Sequence, residues 1–128
     1  MKLSAHRVLA PMVLAASIIA LSGVAHAAVP VVKHGVLTGD HGMTLYTFDK
    51  DEAHSGKSVC IGACAENWPP FLASAADTAS GDYSFVMRAD GKMQWAYKGK
   101  PLYFWHKDSK PGDETGAGFK HLWRVAKG

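Results

Sequence analysis

From Val29 to the end, the chain alternates short apolar runs rich in valine, leucine and aromatic residues with polar turns that carry glycine. Val29–Leu37 is valine-rich, Asp40-His41-Gly42 is a turn, and Thr44–Phe48 is a second β-type run. Tyr83–Arg88 and Met93–Tyr97 flank Asp90-Gly91, a hairpin signal because glycine accepts the positive φ that a tight turn demands. Lys98-Gly99-Lys100 turns again, Pro101–Trp105 returns, and Leu122–Val125 is a last short run. No stretch of this part keeps a helical period. The pattern predicts an all-β domain of seven or eight short strands, with a helical turn near Ala63–Asn67 that Pro69-Pro70 stops.

The pattern is stated twice. Gly42-Met43-Thr44-Leu45-Tyr46-Thr47-Phe48-Asp49-Lys50-Asp51 aligns with Gly99-Lys100-Pro101-Leu102-Tyr103-Phe104-Trp105-His106-Lys107-Asp108. Each copy then runs through a polar loop to a tryptophan, Trp68 or Trp123. Such self-similarity marks a duplication. Repeat 1 spans about 31–71 and repeat 2 about 83–127, joined by the polar stretch Leu72–Asp82. Two tandem meander-like copies are expected to pack as a small sandwich or barrel.

Side chains alternate across a strand, so Tyr46 and Phe48 share a face, as do Tyr103 and Trp105. Gly42 and Gly99 precede their strands, where positive φ is cheap for glycine. Asp51 and Asp108 follow them, where a carboxylate can bond nearby backbone N–H groups. These positions support two readings. In one, glycine serves the turn, the aromatics the core and aspartate the loop. In the other, Tyr46, Phe48, Tyr103 and Trp105, with Asp51 and Asp108, form an aromatic groove between the copies.

The first 27 residues read as an address rather than as fold. Lys2, His6 and Arg7 form a basic start, Val8–Val24 is apolar, and Ala25-His26-Ala27 is a small-x-small cleavage site, the pattern of a secretory signal peptide. Cleavage leaves 28–128 as a single secreted domain, and no cysteine stands at the cleavage point for a lipid, so no stable membrane anchor is expected. Of 14 basic residues, Lys2 and Arg7 lie in the leader, leaving 12 against 11 acidic ones. A near-neutral domain lacks the basic stripe of a nucleic-acid binder. All 13 aromatics lie beyond the leader and supply either core or groove.

In an oxidising compartment, Cys60 and Cys64 favour a disulfide. The alternative is a copper or redox site on Cys60 and Cys64 with His54, since thiolates suit Cu(I) and imidazole Cu(II). Covalent haem is disfavoured because Ala65 stands where a histidine is required. The carboxylates Asp49, Asp51, Glu52, Asp108, Asp113 and Glu114 admit a hydrolase as a further alternative. Interleaved lysines favour solvated loops instead. No nucleophile elbow, zinc-protease or phosphate-loop motif occurs, and no catalytic residue is assigned.

The doubled Tyr-x-aromatic-x-x-Asp core, with Cys60-Ile61-Gly62-Ala63-Cys64, Trp68-Pro69-Pro70, Arg88-Ala89-Asp90-Gly91 and Pro111-Gly112-Asp113, resembles a bacterial secreted-repeat family. That family is described as a predicted lipoprotein of unassigned function. The resemblance implies a periplasmic or secreted location and no particular activity. The expected function is thus a non-catalytic exported envelope module that meets an unknown ligand or protein, with no cofactor.

Overall fold

The computed structural model describes residues 28–128; the segment 1–27, on which the signal-peptide expectation falls, lies outside the described residues. Along the chain come β1 (Val31–Lys33), β2 (Val36–Thr38), β3 (Tyr46–Phe48), α1 (Ala63–Asn67), β4 (Tyr83–Met87), β5 (Met93–Tyr97), β6 (Lys100–Pro101) and β7 (Trp123–Val125). They form three small antiparallel sheets, β1-β2, β3-β7 and β4-β5-β6, which do not close into a barrel. The one α-helix among the described residues sits where the sequence places it, between Gly62 and the Pro69-Pro70 stop.

The copies are interlaced rather than laid end to end. Tyr46 and Tyr103 face each other across an antiparallel bridge, each amide donating to the other's carbonyl at 2.8 and 3.0 Å. Around this bridge the hydrogen bonds come in equivalent pairs. Ala126 N donates to Leu45 O, and Phe71 N donates to Leu102 O. Leu37 N donates to Ala126 O, and Trp95 N donates to Phe71 O. Asp49 N donates to Leu122 O, and His106 N donates to Asn67 O. Each copy's tail therefore pairs with the other copy's central strand, under a pseudo-two-fold relation centred on the two tyrosines.

One inequality has a simple cause. The tail of repeat 2 forms a regular strand, with β7 pairing Tyr46↔Val125 and Phe48↔Trp123. The tail of repeat 1 makes only an isolated bridge, Pro70↔Tyr103. Pro69 and Pro70 have no N–H to give a ladder. The expected strand Pro101–Trp105 is accordingly regular only at Lys100–Pro101 and otherwise held by single bridges.

Strand alternation divides the apolar residues into two clusters. Tyr46, Phe48, Cys60, Trp68, Tyr103, Trp105 and Trp123 form one. Leu37, Leu45, Phe71, Trp95, Leu102 and Ala126 form the other. Both contain residues from both copies. A lone half of about 50 residues would expose half of each cluster, and chains this short are marginal even with a complete core.

The halves Ala28–Ala75 and Ala76–Gly128, made separately, are therefore expected to be unfolded alone and to fold when mixed one to one. Far-ultraviolet circular dichroism and titration calorimetry read this directly. A half that folds cooperatively by itself contradicts the interlaced arrangement.

Candidate functional site

The residues that the repeat singles out meet in the seam between the copies. Tyr46 Oη donates to Asp108 Oδ2 at 2.7 Å, and Tyr103 Oη donates to Asp51 Oδ2. Each phenol thus bonds the aspartate of the other copy. The second oxygen of each carboxylate holds its own loop. Asp51 Oδ1 accepts from Val59 N at 2.7 Å, and Asp108 Oδ1 accepts from Thr115 N and Oγ1 at 3.0 and 2.6 Å. Backbone geometry delivers the strands to this point: Gly42 and Gly99 have φ of +75° and +82°, and a Cβ on Gly99 would lie 2.6 Å from the His54 amide nitrogen.

The copies differ in what surrounds the pair. At Tyr103, Ser58 Oγ lies 2.6 Å from the phenol oxygen and accepts from Arg88 Nη1 at 3.0 Å and Cys60 N at 3.2 Å. Arg88 also donates to Gln94 Oε1 and Cys60 O, and Gln94 Nε2 donates to Leu102 O. The buried Asp51 and Arg88 charges are thereby linked through a phenol and a hydroxyl rather than in direct contact. Such chains strengthen each bond in a low-dielectric interior. At Tyr46 the corresponding place is taken by Gly116 N, which donates to the phenol oxygen at 3.2 Å. A Cβ on Gly116 would come within 2.7 Å of the Trp68 ring and 2.8 Å of Trp105, so only glycine fits.

Burial is the main cause that pushes the acidity of both phenols far down, and the facing carboxylate adds to it, so both pKa values lie well above the usual tyrosine range. The phenols act as donors and are not bases near neutral pH.

These positions correct the groove reading. Tyr46 and Tyr103 are fully buried, and Phe48 and Trp105 are each 7 % exposed, so the four rings make core and offer no open aromatic surface. They are buried because the tails cross over them. The thiolate reading is corrected too: Cys60 and Cys64 form a disulfide that holds the segment before Trp68, and His54 is an exposed residue whose amide bonds Gly99 O. Oxidised sulfurs do not supply the thiolates that a Cu(I) site on Cys60, Cys64 and His54 requires. Among the described residues no group of three or more histidine, cysteine or carboxylate side chains is placed to hold a metal ion. The loop carboxylates are largely engaged: Asp49 pairs with Arg124 at 2.7 Å, and Asp113 binds Lys110 and the Ser109 amide.

Sequence reasoning placed Arg88 only in the hairpin signature Arg88-Ala89-Asp90-Gly91 and did not single out Ser58, Gln94, Thr115 or Gly116. The one available signal was Arg88, a charge closing an otherwise apolar β-run. Open surface lies elsewhere. A shallow cleft of about 590 Å³ runs beside β7, lined by Glu114, His121, Trp123, Arg124 and Lys127. A second of about 300 Å³ shares Glu114 and adds Lys33 and His34.

Fold and seam together define an all-β module made by interlaced duplication, without a membrane-crossing helix among the described residues. The chain belongs to a family described as a secreted repeat of unknown function, whose model matches residues 32–71 and 84–127. Comparison with curated proteins and with solved structures gives no match.

Two outcomes are expected of the seam. Asp51→Asn, at a carboxylate 2 % exposed, should cost roughly 1.5–3 kcal/mol, the range for a hydrogen bond to a charged group. Asp108→Asn, at a partly solvated site, should cost less, as urea denaturation would show. The phenols predict alkaline weakening. Their folded pKa values are raised, so their contribution is complete below the unfolded tyrosine value of about 10 and is lost as pH climbs through it toward the folded values. Stability measured against pH should fall above that point, and less so in Tyr46→Phe/Tyr103→Phe.

Proposed function

We propose that this protein is a non-catalytic exported module of the cell envelope, whose duplicated motif serves the fold and whose ligand is met on the cleft beside β7. The observation that carries this reading is the engagement of the motif's tyrosines and terminal aspartates. Asp51, Asp108, Tyr46 and Tyr103 are bonded to one another and to loop backbone, which leaves none of these four groups free for a substrate. The same engagement weakens the hydrolase alternative, because Asp49 and Asp113 also have cationic partners. The cleft beside β7 has the size of a small-molecule site and mixes an indole edge with Glu114, His121, Arg124 and Lys127. A periplasmic location is part of this proposal; export itself agrees with the family description.

Mature Ala28–Gly128 is expected to co-sediment with isolated cell-envelope material. His121→Ala/Lys127→Glu should weaken that binding while leaving the thermal midpoint near the parent value. Asp51→Asn, assayed well below its own midpoint, should bind like the parent. A folded Asp51→Asn protein that has lost binding would place the ligand at the motif and overturn the reading.

A further inference from the structure

The apolar cluster of the seam is a continuous stack of rings. Phe48 lies on Trp123 with centroids 4.2 Å apart, Trp123 on Trp68 at 3.8 Å and 1° between planes, and Trp105 leans on Trp68 at 4.1 Å with its plane tilted by 31°. The end rings, Phe48 and Trp105, reach the surface slightly, and Phe119, 37 % exposed, covers Trp105 at 4.9 Å. Each central indole also meets a phenol edge-on: Trp68 meets Tyr46 at 5.2 Å, and Trp123 meets Tyr103 at 5.1 Å. Each of those phenols already points its O–H at a carboxylate.

We propose that this assembly accepts and holds a single oxidising equivalent, so that the domain acts as a one-electron sink toward outer-sphere oxidants such as high-valent haem or the carbonate radical. Two parallel indoles in contact share a positive charge and are oxidised more readily than one. A tyrosine gives up an electron readily only when its proton can leave at the same moment, and Asp108 and Asp51 stand at the receiving position.

The step balances. The oxidant takes one electron from the Trp68–Trp123 pair and is reduced by one. Tyr46 then returns an electron to the indole pair while its Oη–H bond breaks and the proton moves to Asp108 Oδ2. The products are neutral indoles, a neutral tyrosyl radical and a protonated Asp108. Gly116 N–H, donating to the same oxygen, remains to hold the radical oxygen in place. Tyr103 and Asp51 repeat the arrangement in the other copy, with Ser58 beside the phenol oxygen. A one-electron reductant reverses the sequence, and Asp108 gives the proton back.

The test uses mature protein carrying Tyr83→Phe/Tyr97→Phe, which removes the phenols outside the seam, and photogenerated tris(bipyridine)ruthenium(III) as the oxidant. Transient absorption and electron paramagnetic resonance distinguish indole from tyrosyl radicals. This protein is expected to pass from an indole radical to a neutral tyrosyl radical, more slowly in heavy water. Adding Tyr46→Phe/Tyr103→Phe should stop the sequence at the indole radical. Adding Asp51→Asn/Asp108→Asn should lose most of the tyrosyl signal, because an amide takes no proton. A tyrosyl yield unchanged in the folded asparagine variant overturns the proposal. So does parent protein that gives only indole radicals or shows no isotope effect, a readout that stands even where the asparagine variant fails to fold.

Discussion

Two buried phenols, each bonded to a carboxylate from the other half of the chain, set the terms for everything else in this domain. An aspartate 2 % exposed is tolerable only if its oxygens are fully bonded. The donors available to Asp51 are its own loop and a tyrosine 52 residues away. Satisfying it requires repeat 2 to be in place, and satisfying Tyr46 requires Asp108 in the same way. The polar requirement and the apolar one then agree. The crossing that brings phenol to carboxylate is the same crossing that stacks Trp68 on Trp123 and lays β7 along β3. Local and global preferences that point the same way are what give a sequence one structure.

The relation between the copies also sorts residues by their distance from its centre. Leu45 and Leu102, Tyr46 and Tyr103, Trp68 and Trp123, and Asp51 and Asp108 stand at or beside the centre and are the same residue in both copies. Each such position meets its own counterpart or that counterpart's neighbour, so a change there must suit both environments at once. Elsewhere the copies part, even two residues from the central tyrosines. Phe48 corresponds to Trp105, Asp49 to His106, and Pro70 to Val125, and each difference has a local consequence. Trp105 lengthens the ring stack, Asp49 gains the Arg124 ion pair, and Pro70 cuts a ladder short.

Much of the fold was legible from the chain. Alternation put Tyr46 and Phe48 on one face with Leu45 on the other, glycine marked the turns, and Pro69-Pro70 marked the end of the helix. The crossing was not legible, because period and turn chemistry describe a copy and are silent on which copy its tail will pair with. The aromatic density admitted both groove and core for the same reason: a ring's burial depends on what passes over it, and here that is the other copy's tail. The Cys60–Cys64 bridge followed from the oxidising compartment expected of an exported chain. The Ser58–Arg88–Gln94 network did not, since its members lie 30 and 6 residues apart and converge only after the hairpin β4–β5 has folded back.

The same geometry constrains where evolution of a function can start. Substituting a central residue disturbs a phenol–carboxylate pair that joins the two halves, or a ring stack shared by both. Substitutions at exposed loop positions that do not touch the pairs, such as Glu52, Ala53, Lys57 and Ala117, leave that centre in place. Ser58 with Arg88 on one side, and Thr115 with Gly116 on the other, show that these loops have already taken different courses while holding equivalent carboxylates. In the proposed reading, ligand specificity belongs to the 109–121 loop, which borders the cleft beside β7.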